Sequence, residues 1–227
     1  MSITEEKLVQ CACGTTVRVV LAESLNAGRH PHLRQALLDG ELHRFTCGAC
    51  GARVLVEKQL LYFDAERHHF FVVMPRNELA NETEGIAITR RLYDVSFGPP
   101  AAEMLQELGR SMMVRLCYGL PAVREKVLAD DAGLNDLALE ALKCEVLGQL
   151  PELEHRATAA LWLNAVTATE LELIAETDGE PLPVRVPRWT YESVVSLGAA
   201  EILRYRPGLA KGPHVSMQRL GLEVTAG

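Results

Sequence analysis

Six cysteines are present in this 227-residue chain, and four of them arrive in two tight pairs. The first pair reads Cys11-Ala12-Cys13-Gly14 and the second reads Cys47-Gly48-Ala49-Cys50-Gly51. A thiolate is a soft, anionic ligand, and two facing turns that each offer two of them make the tetrahedral donor set that zinc prefers. Cys11, Cys13, Cys47 and Cys50 are therefore the candidate ligands of one structural zinc ion. Four thiolates fill the coordination sphere and leave no position for a catalytic water. Cys47-x-x-Cys50 alone would also suit a redox pair, but a second pair close in the fold favours metal.

The remaining chemistry-bearing residues are weaker candidates. His30, His32 and His43 lie between the two cysteine pairs, and any of them could stand in for a thiolate. His68 and His69 are adjacent, so on a strand they point to opposite faces and do not share a metal; a solvated hairpin end is expected there. His155 and His214 have no evident acid or nucleophile partner. Cys117 and Cys144 sit among apolar neighbours in stretches that read as helix, where a thiol packs as a small hydrophobe. Glu170 and Glu172 read as a wet strand face rather than an acid/base pair. Asp130-Asp131 reads as a helix cap. There is no phosphate-binding glycine loop, no Gly-x-Ser-x-Gly and no His-Glu-x-x-His, so no catalytic residue is assigned.

The elements that must position the thiols follow from the pattern around them. Val17 to Leu21 is a short alternating strand leaving the first pair, and Arg53 to Val56 is its counterpart leaving the second. Between them Pro31 opens a two-turn helix that Gly40 closes. Leu60 to Asp64 and His69 to Met74 form a hairpin around a short polar link. Its aromatic residues Tyr62, Phe63, Phe70 and Phe71 require cover on both faces, from the C-terminal half or from another chain. Arg76 to Thr89 is polar and reads as a loop, with a strand over Arg90 to Phe97. Gly98-Pro99-Pro100 is the best boundary in the chain.

Beyond it, Ala101 to Tyr118 reads as one helix, Ala122 to Ala129 as a second, and about Gly133 to Leu147 as a third. Strands are expected at Leu161 to Val166, Glu170 to Ala175 and Val184 to Val186, with a turn at Asp178-Gly179. Thr190 is placed to cap a helix through Ile202, and Val215 to Leu220 reads as an edge strand. The expected class is α+β: an N-terminal zinc-ribbon-like antiparallel sheet with a helical insertion, then helices and a second small antiparallel sheet. The expected regions are 1–97 and 98–227, able to pack as one unit.

Five of these pieces together resemble the bacterial CpXC-domain proteins. They are the paired cysteines, His30-Pro31 to Leu38-Asp39-Gly40, the Cys-x-x-Cys-Gly turn, and Leu61-Tyr62-Phe63-Asp64. The fifth is Tyr118-Gly119-Leu120 with Arg124-Glu125-Lys126, leading to Leu142-Lys143. The resemblance covers roughly the first two thirds of the chain. It departs at the first pair, which lacks a proline and has only Ala12 between its cysteines. It implies an architecture and no reaction.

Charge narrows the function. The formal net charge is -7. Residues 1–97 carry 11 Lys+Arg against 12 Asp+Glu, and residues 98–227 carry 12 against 18. Neither half offers the basic surface that phosphate backbones or anionic lipid demand. No run is long enough to span a bilayer and no export signal precedes the first cysteine, so a reducing cytoplasm is expected. The leading expectation is a non-enzymatic cytoplasmic protein that carries structural zinc and acts through protein contacts or self-association. The alternatives are a zinc-ribbon nucleic-acid binder, which needs a basic face, and an enzyme with its site in the C-terminal half, which needs a deep polar pocket.

Overall fold

The computed structural model describes residues 2–99, 101–150, 160–176 and 180–225. Contacts divide the chain into two compact units, Met1–Arg124 and Glu125–Gly227.

In the first unit, β1 (Ile3–Gln10) and β2 (Thr16–Asn26) form a long antiparallel hairpin, followed by α1 (Pro31–Leu38). A smaller hairpin follows, β3 (Arg44–Thr46) with β4 (Arg53–Leu55). Then come β5 (Leu60–Asp64) and β6 (His69–Met74), a 3-10 turn, α2 (Glu82–Phe97), α3 (Glu103–Ser111) and β7 (Met113–Tyr118). Five strands make one sheet in the order β1-β2-β5-β6-β7. Pairing is antiparallel except at β2/β5 and β6/β7. Helix α1 is placed by Arg34, whose Nε lies 3.9 Å from a carboxylate oxygen of the fully buried Asp64. Asp64 Oδ1 also accepts the amides of Glu66 and Arg67, which closes the β5–β6 turn.

The α+β class stands, but several elements differ from the sequence reading. Arg76 to Thr89 is not a loop, and Arg90 to Phe97 is not a strand; together they form a 3-10 turn and α2. Gly85 misled the reading. It sits mid-helix because a Cβ there would meet Tyr118 Oη at 2.4 Å. The expected helix Ala101 to Tyr118 stops at Ser111, and the rest is β7, whose first amide donates to His68 O at 2.6 Å. Burial in β7 does not alternate but changes along the strand, half-buried over Met113 to Arg115 and buried over Leu116 to Tyr118, so Met112 and Leu116 continued a helical spacing by accident. Strand β7 belongs to the first unit, so the units part at 124/125 rather than at Gly98.

The aromatic hairpin is buried, but not as anticipated. Phe63 and Phe70 pack against Tyr93 and Phe97, so one face is covered from within the same unit by α2. Tyr62, Phe71 and His69 stack on one another, all fully buried. His69 is therefore core, not a solvated end; of the two, His68 is exposed, with φ 57° at the turn and Nδ1 2.8 Å from Ser111 Oγ.

The second unit holds α4 (Leu120–Asp131, begun in the first), α5 (Asp136–Leu147), the antiparallel sheet β10-β9-β8, and α6 (Arg188–Tyr205). Its strands are β8 (Leu161–Val166), β9 (Glu170–Ala175) and β10 (Leu182–Pro187). Leu139, Leu142, Leu163, Leu171 and Leu173 centre its core. Asn135, not Asp130-Asp131, caps α5: its side chain accepts the Ala138 amide at 3.0 Å, while the two aspartates finish α4. Pro187, not Thr190, precedes α6, which breaks at Gly198 (φ 75°). The stretch Val215 to Leu220 is no edge strand. Short strands β11 (Ala210–Lys211) and β12 (His214–Val215) pair with each other, and α7 (Arg219–Thr225) ends the described chain. His155 and the Asp178-Gly179 turn lie outside the described residues.

Candidate metal centre

Each cysteine pair caps a hairpin. Cys11 and Cys13 lie in the turn joining β1 to β2, and Cys47 and Cys50 lie in the turn joining β3 to β4. The two turns are built alike. Gly14 N–H returns to Cys11 O at 2.8 Å, and Gly51 N–H returns to Cys47 O at 2.8 Å. Both glycines sit at positive φ, 86° and 73°, a conformation that a side chain resists. The two hairpins meet over an apolar floor of Val9, Val17 and Val19 from one and Phe45, Val54 and Val56 from the other. That floor holds the tips against each other.

The result is one cluster. The four Sγ atoms lie within 4.8 Å of one another. Cys11 faces Cys50 at 3.7 Å, and Cys13 faces Cys47 at 3.7 Å. Four sulfurs each about 2.3 Å from a central ion sit about 3.8 Å apart in a regular tetrahedron. The spacing thus fits a single ion, and the short first knuckle does not prevent it. Cys11 and Cys47 are buried, whereas Cys13 and Cys50 face solvent.

The electrostatics point the same way. Thr15, whose hydroxyl lies 3.4 Å from Cys13 Sγ and whose amide also reaches it, pulls the Cys13 thiol down to about 6. The amides of Cys50 and Ala49 lower the Cys47 thiol. The Ala52 amide pulls on Cys50, but the other three sulfurs outweigh it and push Cys50 up to about 12. Bare, the cluster cannot ionise all four thiols; a central cation removes the repulsion.

Among the described residues no histidine joins the cluster. His43 is buried, and its Nε2 accepts the Ala22 amide at 2.9 Å. Burial, with Lys58 nearby, pushes it down to about 4, so it stays neutral. His30 contacts Ser2 and stacks edge-on with His32. Cys117 is buried in β7, and burial raises Cys144 to about 11, which makes both inert packing groups. Glu172 accepts from Asn164 at 2.7 Å on a half-buried face.

A family model described as CpXC protein matches residues 9–143. The chain belongs to the CpXC family. No curated protein and no solved structure matches it. The matched span of this CpXC protein begins just before Cys11 and ends on Lys143, so it takes in both knuckles, strands β2 to β7, helix α4 and the first two turns of α5, and leaves out most of β1.

One constellation escaped the sequence reading. Glu125 and Lys126 on α4 and Asp136, Glu140 and Lys143 on α5 form a buried charge cluster. Lys143 Nζ lies 2.7 Å from both Glu125 Oε1 and Glu140 Oε2, and Lys126 Nζ lies 2.7 Å from Glu140 Oε1 and 3.6 Å from Asp136 Oδ2. Leu163 N–H donates to Glu125 Oε2 and Met217 N–H to Glu140 Oε2. Burial alone would raise Glu140, but Lys126 and Lys143 outweigh it and hold it near 2. The available signal was Glu140 and Lys143, three residues apart and each directly after a leucine, Leu139 and Leu142, of the apolar face. The cluster satisfies itself and carries no reactive group. Among the described residues, no helix is long and apolar enough to cross a membrane.

Proposed function

We propose that Cys11, Cys13, Cys47 and Cys50 hold one zinc ion, and that the chain is a non-enzymatic, cytoplasmic protein-interaction module. The observation that carries the metal reading is the disposition of four sulfurs from two like-built turns at tetrahedral spacing. Four sulfur donors favour zinc over the hard cations, which take oxygen. Bound there, zinc would supply charge neutralisation and a cross-link between two hairpins. Cys11 and Cys47 anchor the site in the apolar floor, and Cys13 and Cys50 close it from the solvent side. With four protein ligands the site is closed to substrate. The interaction role is supported by the open edge strand β1, which leaves Leu8 exposed. Elemental analysis of protein purified without chelator should find about one zinc per chain. Iron in its place would replace zinc by another thiophilic metal, and no metal at all would overturn the reading.

A further inference from the structure

Strand β1 is the outermost strand of the five-stranded sheet, and among the described residues it is hydrogen-bonded to β2 and to no other strand. All of its eight residues except the half-buried Val9 are exposed, and Leu8 is 70% exposed. An open edge of this length is a template for pairing, and natural edges are blunted by proline, bulges or charged side chains, lysine above all; Glu5, Glu6 and Lys7 are such charges, and they admit a partner strand only where its charges complement theirs. Here there is no proline, and the single irregularity lies at Ile3/Thr4, outside the central run.

We infer that β1 is the docking edge for a second copy of this chain, pairing antiparallel with its own counterpart about a two-fold axis at Glu6. The inference rests on the reading of the chain as an interaction module and names its surface. The occupant follows from charge complementarity. A two-fold axis perpendicular to the joined sheet keeps each side chain on its own face, so residues that face each other are an even number apart. Centring on Glu5 sets glutamate against glutamate and leaves Lys7 facing Ile3. Centring on Lys7 sets lysine against lysine. Centring on Glu6 sets Glu5 against the partner copy's lysine at position 7 twice over, and Leu8 against threonine. The two Glu6 carboxylates then meet at the axis, each with Arg18 Nη1 of its own β2 at 3.4 Å, a set without net charge. Lys58, 3.2 Å from Glu5 and 3.1 Å from Glu23, adds a cation behind the Glu5 side of the edge. Opposite charges directly across antiparallel strands stabilise, and like charges destabilise.

Sedimentation equilibrium of the zinc-loaded full chain, up to about 100 µM, tests this. The expected result is a concentration-dependent dimer. Lys7→Glu and Glu5→Lys should each weaken it at least about tenfold, because each turns two attractive pairs into repulsive ones. The double variant E5K/K7E should recover toward the original. Equal zinc content and far-ultraviolet dichroism across the variants keep folding out of the comparison. A monomer at every concentration overturns the inference, as does a dimer indifferent to both single variants or a double variant that does not recover. A zinc-loaded monomer that captures a host protein overturns this inference while leaving the interaction-module reading standing.

Discussion

The two units of this protein concentrate charge in opposite ways. The first gathers four cysteines at the tips of two hairpins, with two of the sulfurs facing water and no counter-charge of its own. The second gathers three carboxylates and two ammonium groups inside α4 and α5, sealed from water and paired among themselves. On the proposed reading one unit depends on an ion from outside, whereas the other carries its cations in its sequence. The difference sets what each needs in order to fold. Strands of three residues such as β3 and β4 have little core, so metal-binding free energy becomes folding free energy there. The second unit rests on an apolar core and on charges whose worth depends on every partner being present.

The largest expected effect breaks the first side of that comparison. Cys47→Ser removes a buried ligand and should expose β1 to β4 to limited proteolysis. The rest of the five-stranded sheet resists longer, and the second unit keeps its urea transition. Loss of both transitions together would erase the distinction. Next in size is Lys143→Met, which leaves Glu125 and Glu140 short of a cation in the interior. It should cost about 3–5 kcal/mol by urea unfolding of the second unit and leave zinc content unchanged. Adding Glu125→Gln should recover part of that loss, since the uncompensated charge goes with it.

Acid should separate the units as well. His43 is depressed from 6.5 to about 4 in the folded state, so the unfolded chain binds the proton more tightly. Its contribution is whole above 6.5 and is lost as pH falls from there toward 4. Glu140 is depressed from 4.5 to about 2, so its contribution is whole above 4.5 and is lost below it. The first unit therefore weakens at higher pH than the second. His43→Gln should flatten the slope of the first unit's stability between pH 6.5 and 4 by about one proton. Smallest is Gly109→Ala, whose Cβ would lie 2.5 Å from Phe97 Cβ. Overpacking where α2 crosses α3 should cost about 1–3 kcal/mol without altering metal content.

What the sequence disclosed divides along the same line. The cysteine cluster was legible because ligand chemistry restricts residue type and spacing together: the sulfurs of Cys11, Cys13, Cys47 and Cys50 lie within 4.8 Å of one another. So were α1, with Pro31 at its start and Gly40 after its end, and the β5–β6 hairpin. The buried charge cluster was not legible, because Glu125, Lys126, Glu140 and Lys143 are ordinary helix residues whose burial is decided by what packs on them. Helix α2 was hidden by a glycine present for the sake of Tyr118, thirty-odd residues away. Strand β7 lacked alternation because its burial rises along the strand, from half-buried Met113 to Arg115 to buried Leu116 to Tyr118. Each miss is a case of distant packing overriding a local pattern.

The dependence of one unit alone on a metal ion is tested most directly by amide hydrogen exchange of the full chain, read by mass spectrometry before and after chelation. The account predicts that protection collapses by roughly 100-fold or more across β1 to β4, residues 3–55, while α5 and strands β8 and β9 keep theirs. Unchanged protection at Cys11 to Cys50 after the metal is removed, or an equal collapse in both units, would contradict it.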